Sequence, residues 1–149
     1  MINKLTVTSA LTWAVHVPRP LRIVLTAAYL TVLTAVLLQP SQRPLLGPAA
    51  PKTYDLGWDI LLTLAHVVGF GLLTFLLWWM LYHPAPFRWA LRTAVLCACV
   101  LGVATEFLQS MVPDRSVSLL DLLVNCGVAL LVAHLIARAQ QPDTTNEKG

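Results

Sequence analysis

Glu106, His66 and Asn125 are the residues of this 149-residue chain best placed to do chemistry, because each lies inside a long apolar run where lipid penalises polar groups. A carboxyl group and an imidazole brought together make a general acid–base pair, and a neighbouring amide can orient both. Glu106 and His66 are therefore the candidate catalytic groups. Gln109, Arg115, Asp121 and Asn125 are the candidate ligand-binding groups, and the guanidinium fork of Arg115 suits a phosphate or a carboxylate. No nucleophile, metal-ligand set or cofactor loop accompanies them, so no metal and no cofactor are expected. Whether a reaction follows binding stays open. The three cysteines, Cys97, Cys99 and Cys126, sit in apolar runs as small hydrophobes, and the C-x-C pair points to two sides of a helix.

Each of these residues also has a purely structural reading. Glu106 can be interhelical glue bonded to Asn125 or His66, and amides such as Asn125 commonly bond across helices. Ser118-Leu-Leu-Asp121 reads as a capping box that opens a helix. Arg115 can lie among lipid phosphates or pair with Asp121. Gln109, His134 and His16 can be interfacial.

The elements that must position these groups follow from composition. Hydrophobic residues make up 57% of the chain and charged residues 11%, with mean hydropathy +0.71. Soluble domains carry roughly 25% charged residues. Apolar stretches of about 20 residues, enough to cross a hydrocarbon core, lie at roughly 21–39, 60–82, 89–112 and 119–137. Backbone groups in lipid must be satisfied internally, and no alternating strand pattern is visible, so the spans are helices. The expected fold is all-α, a four-helix transmembrane bundle over 21–137 with short loops. An N-terminal surface or interfacial segment (1–20) precedes it and a disordered tail (138–149) follows. Pro40, Pro44, Pro48 and Pro51 argue against regular structure between the first two spans. These spans and their connections use up the 149 residues, leaving no separate soluble catalytic domain. A net charge of +3, scattered along the chain, is no nucleic-acid footprint.

Basic residues set the expected orientation. Lys4, Arg19, Arg22, Arg88, Arg92, Arg138 and Lys148 fall on one side of a four-pass layout, against Arg43, Lys52 and Arg115 on the other. The positive-inside bias then places both termini in the cytoplasm. Trp78, Trp79, Tyr82 and Trp89 are expected in the inner aromatic belt, and Tyr54 and Trp58 in the outer one.

With these boundaries Glu106, His66 and Asn125 each lie about six residues, or ~9 Å, from the outer end of a span. Ala94, Ala98, Gly102 and Glu106 form one stripe at four-residue spacing, and Asp121, Asn125, Ala129 and Ala133 form another. Small residues at that spacing let backbones approach, so the two stripes are expected to pack antiparallel with Glu106 facing the bundle. A mid-helix carboxylate costs about 2.5–3.5 kcal/mol to insert, which the apolar residues of the third span roughly offset.

The run from Glu106-Phe-Leu-Gln109 through Arg115 to Asp121-Leu-Leu-Val-Asn125, with the earlier His66-Val-Val-Gly69-Phe70, resembles the signature of the VanZ-like family of membrane proteins. The likeness covers roughly 59–137. The family takes its name from a protein linked to resistance to the glycopeptide teicoplanin. Members usually carry Asp-Lys shortly before the His, where this chain has Leu62 and Thr63, with Asp59 the nearest acid. They place a Gly three residues after the Asn, where this chain has Gly127 two after. The likeness implies a multi-pass protein of the bacterial inner membrane, part of the cell envelope, with a polar site built from the motif residues.

The leading expectation is an outer-leaflet pocket of Glu106, His66, Asn125, Arg115 and Asp121 that binds a membrane lipid or lipid-linked cell-wall precursor. The alternatives are a structural or assembly protein whose polar residues only tie helices together, and a small ion-coupled carrier that acts as an oligomer.

Overall fold

In the computed structural model the described residues are 16–39, 56–82, 85–112 and 118–140. They form four helices: α1 (Arg19–Leu37), α2 (Leu56–Leu81), α3 (Phe87–Gln109) and α4 (Leu119–Ala139). All four are long and apolar enough to cross a membrane. The N-terminal segment through residue 15, the Pro-rich connection 40–55, Arg115 and the tail beyond residue 140 lie outside the described residues.

The helix boundaries follow local chemistry. Pro18 precedes α1, with Pro20 in its first turn, and Pro86 precedes α3; proline fits there because those N–H groups have no intrahelical partner. Ser118 caps α4, its hydroxyl accepting from the Asp121 amide at 3.1 Å. That bond is one half of the expected capping box. Helix α4 continues through Ala139, so Arg138 belongs to its last turn and not to a tail.

Cross-helix contacts give the layout. Arg22 meets Trp79 and Tyr82, Thr26 meets Leu76 and Tyr29 meets Gly69, so α1 runs antiparallel to α2. Gly102 faces Asn125 and Glu106 reaches Ser118, so α3 and α4 are antiparallel. His66 meets Asn125 while Gly71 faces Val128 and Val132, so α2 and α4 run parallel across the bundle. Helices α2, α3 and α4 pack on one another, and α1 lies chiefly along α2. One end of the bundle therefore gathers Leu37, Gln109 and Ser118. The other gathers Arg22, Tyr82, Phe87 and Ile136.

Burial is inverted relative to a soluble bundle. The α3 residues that are buried are Ala90, Ala94, Ala98, Gly102, Thr105, Glu106 and Gln109, while Leu96, Val100, Val103 and Phe107 are exposed. On α4, Asn125, Ala129 and Ala133 are buried while Leu123, Leu130 and Leu131 are exposed. Lipid supplies an apolar partner for the outward Leu and Val, so small and polar residues hold the inner seams. The expected stripes are these seams. The Gly102–Asn125 contact fixes their register: a Cβ on Gly102 would lie 3.4 Å from the Asn125 Cβ. One four-residue step away in each antiparallel direction, Ala98 comes opposite Ala129 and Glu106 opposite Asp121.

The aromatic end departs from expectation. Trp78 is 1% exposed and Trp79 8%, so neither stands in a belt. Trp78 stacks on Tyr82 and meets the Phe87 ring edge-on at 81°, and its buried Nε1 has no hydrogen-bond partner among the described residues. Of that predicted inner group only Trp89 is well exposed, at 54%. The cause is packing: two large rings fill the space where α2 and α3 diverge toward their connection.

Candidate functional site

His66 sits near the end of the third turn of α2, 5% exposed, with its ring stacked parallel to Phe70 one turn on at 6.1 Å. Its Nδ1 lies 3.1 Å from Asn125 Oδ1. An amide oxygen only accepts, so Nδ1 carries the proton and donates. Asn125 is fully buried. With Oδ1 committed to His66, its Nδ2 turns toward α3, where a Cβ on Gly102 would lie 3.5 Å away, and it has no hydrogen-bond partner.

Glu106 is 3% exposed and faces the bundle, as its place in the α3 stripe requires. Its Oε2 accepts from the backbone N–H of Ser118 at 2.9 Å. In a capping box the N3 side chain usually takes the N-cap N–H. Here N3 is the shorter Asp121, and the acid on the neighbouring helix takes that place. The carboxylate thereby sits at the N-terminus of α4. Its second oxygen, Oε1, is buried and has no partner among the described residues.

Gln109, one turn beyond Glu106, is 3% exposed and donates from Nε2 to the Leu37 carbonyl at 2.9 Å, tying α3 to the last turn of α1. It is not an interfacial residue. Asp121 is half-buried, and its backbone is held by Ser118.

The structure thus joins His66 to Asn125 directly and places Glu106 one turn along the same α3–α4 seam. Among the described residues, Glu106 bonds neither His66 nor Asn125, so the expected direct acid–base contact is absent. Helix α3 ends at Gln109, not near residue 112, yet the His66–Asn125 contact and the single turn between Gly102, which faces Asn125, and Glu106 keep the three groups near one level of the bundle. Among the described residues, no group of three or more His, Cys, Asp or Glu could hold a metal.

Sequence reasoning missed Arg22. Counted only as a topological charge, it is 5% exposed and donates to the carbonyls of Val17 (2.9 Å), Trp79 (3.0 Å) and Tyr82 (3.3 Å), 5.8 Å from the centre of the Trp79 ring. It caps the C-terminal carbonyls of α2, where a cation is favoured. Its position inside the helix, a turn past Pro18, was the available signal. Tyr29, whose hydroxyl donates to the Gly69 carbonyl at 2.9 Å, was also missed. Gly69 also lets Leu33 approach α2, because a Cβ there would meet the Leu33 Cδ1 at 2.9 Å.

Compared with protein-family models, curated proteins and solved structures, the chain gives no match.

Proposed function

We propose that this chain is a VanZ-like multi-pass membrane protein of the bacterial cell envelope whose polar cluster receives the headgroup of a membrane lipid or lipid-linked precursor. One observation carries the reading: Glu106 Oε1 and Asn125 Nδ2, an acceptor and a donor on one helix seam, are buried without partners. Native proteins rarely leave such groups unpaired, and the exceptions concentrate where another molecule completes them. In this reading both termini are cytoplasmic and the cluster opens toward the outer leaflet. Arg115, in the sequence between α3 and α4, supplies a cation for a phosphate. His66 orients Asn125, and Gln109 holds α1 against the site.

A second reading has its own support. Glu106–Ser118, His66–Asn125 and Gln109–Leu37 each join two helices, which is what structural glue does. The two separate in cells. Under the binding reading, Glu106→Gln and Arg115→Ala abolish envelope or glycopeptide phenotypes at normal membrane levels of the protein. Wild-type phenotypes in both variants would remove the binding reading; loss of folded protein in both would favour glue.

A further inference from the structure

Glu106 Oε1 and Asn125 Nδ2, two of the three buried side-chain atoms without a partner among the described residues (the third, Trp78 Nε1, lies at the other end of the bundle), differ in kind, and that difference selects a ligand. Glu106 Oε1 can only accept a hydrogen bond while the carboxylate is ionised, and Asn125 Nδ2 can only donate. Both lie on the α3–α4 seam. Gly102, one turn before Glu106, puts no side chain against the amide: a Cβ there would come within 3.5 Å of Nδ2 and 3.6 Å of the Phe70 ring. Gly102 and Glu106 lie one helical turn apart, about 6 Å along the axis, a span that two adjacent hydroxyls bridge and a single oxygen does not. A phosphate oxygen is a poor complement, since it would accept from Nδ2 but confront Oε1 with a second negative charge. The positive α4 N-terminus, the natural anion seat, is already taken by Glu106 Oε2 on the Ser118 N–H. A cation fails for the opposite reason, because Nδ2 and the α4 N-terminus would repel it.

We infer that the Glu106–Asn125 seam is a hydroxyl site: it reads the polyol or sugar part of a headgroup, with the ligand O–H donating to Glu106 Oε1 and the ligand oxygen accepting from Asn125 Nδ2. This deepens the lipid-binding reading and rests on it. Any phosphate of the same ligand lies off this seam.

The test uses the purified full chain in dodecyldimethylamine oxide, a detergent without hydroxyls, and measures binding of three single-chain amphiphiles. Dodecylglycerol offers two hydroxyls, its di-O-methyl ether keeps the oxygens but has no donor, and dodecylphosphocholine offers a phosphodiester. Wild type should bind the diol about tenfold tighter than the ether or the phosphocholine, what the one hydrogen bond that both lack, from an O–H to the charged Glu106 Oε1, delivers. In Glu106→Gln the new amide accepts from the Ser118 N–H and presents a second donor to the seam. Diol and ether should then bind within twofold of each other. Asn125→Asp keeps an acceptor for His66 Nδ1 but presents two acceptors, so the diol preference over the ether should persist while phosphocholine binding falls. If phosphocholine binds as tightly as the diol, and Glu106→Gln weakens both, the hydroxyl assignment is overturned while the lipid reading stands. If no amphiphile binds in a way that Glu106→Gln changes, both fall. Equal binding of diol and ether to wild type means that water fills the seam, and overturns the hydroxyl assignment alone.

Discussion

Removing the Glu106 carboxylate should loosen the start of α4, a helix it does not belong to. In Glu106→Leu the Ser118 N–H, now paired with Oε2 at 2.9 Å, loses its acceptor in a water-poor setting. A hydrogen bond to a charged group contributes about 1.5–3 kcal/mol, and a charge at a helix N-terminus about 0.3–1 more. The expected cost is therefore about 2–4 kcal/mol, reduced somewhat because Leu partitions into lipid better than Glu. Glu106→Gln keeps an acceptor and loses only the charge, so it should cost about 1 kcal/mol. Unfolding of the reconstituted chain by sodium dodecyl sulfate titration measures both. Amide hydrogen exchange locates the effect: protection should fall at Ser118–Leu122 in Glu106→Leu and stay near wild type at the Ile136 end of α4. Equal stability of Glu106→Leu and wild type, or exchange changes spread evenly along α4, would refute the cap supplied from α3.

Other perturbations test the remaining contacts. A double-mutant cycle of His66→Ala with Asn125→Ala should give a coupling of about 0.6–1.7 kcal/mol, the range for hydrogen bonds between membrane helices, and zero coupling would dissolve the pair. Arg22→Ala should cost about 2–4 kcal/mol by leaving carbonyls at the end of α2 without a charged donor, and it should raise exchange at that end of α2. Gln109→Leu should release the end of α1 with little effect on α2–α4, read as faster exchange near Leu37. The α3–α4 register is tested by Ala98→Cys with Ala129→Cys in a chain lacking its own cysteines. Copper phenanthroline should cross-link that pair, and failure beside a cross-linking pair one turn away would shift the register.

The spans were legible because lipid enforces them: a run of about 20 apolar residues has few other fates. The α3–α4 seam was legible for a related reason, since Ala94, Ala98, Gly102 and Ala129 at four-residue spacing have little purpose except close backbone approach. Glu106 facing inward followed from the same stripe. Its partner did not. Choosing between His66 and the Ser118 N–H depends on where α3 ends, and Phe107-Leu-Gln109-Ser-Met-Val reads as continuing helix until the chain actually turns. Arg22, Trp78 and Trp79 fall at the end of the bundle the sequence assigned them, but their inward facing was not legible, because charge and aromatic rules for membrane ends describe averages. A side chain one turn inside a helix can equally turn toward its neighbour, and only the packing of α1 and α3 against α2 decides.

The most direct test of a lipid-receiving site is native mass spectrometry of wild type and Glu106→Gln extracted side by side from bacterial membranes, with folded protein matched by exchange protection of α2–α4. Wild type should retain a headgroup-bearing lipid that Glu106→Gln loses by tenfold or more. Equal lipid occupancy in two equally folded proteins would contradict the site and leave the polar cluster as interhelical glue.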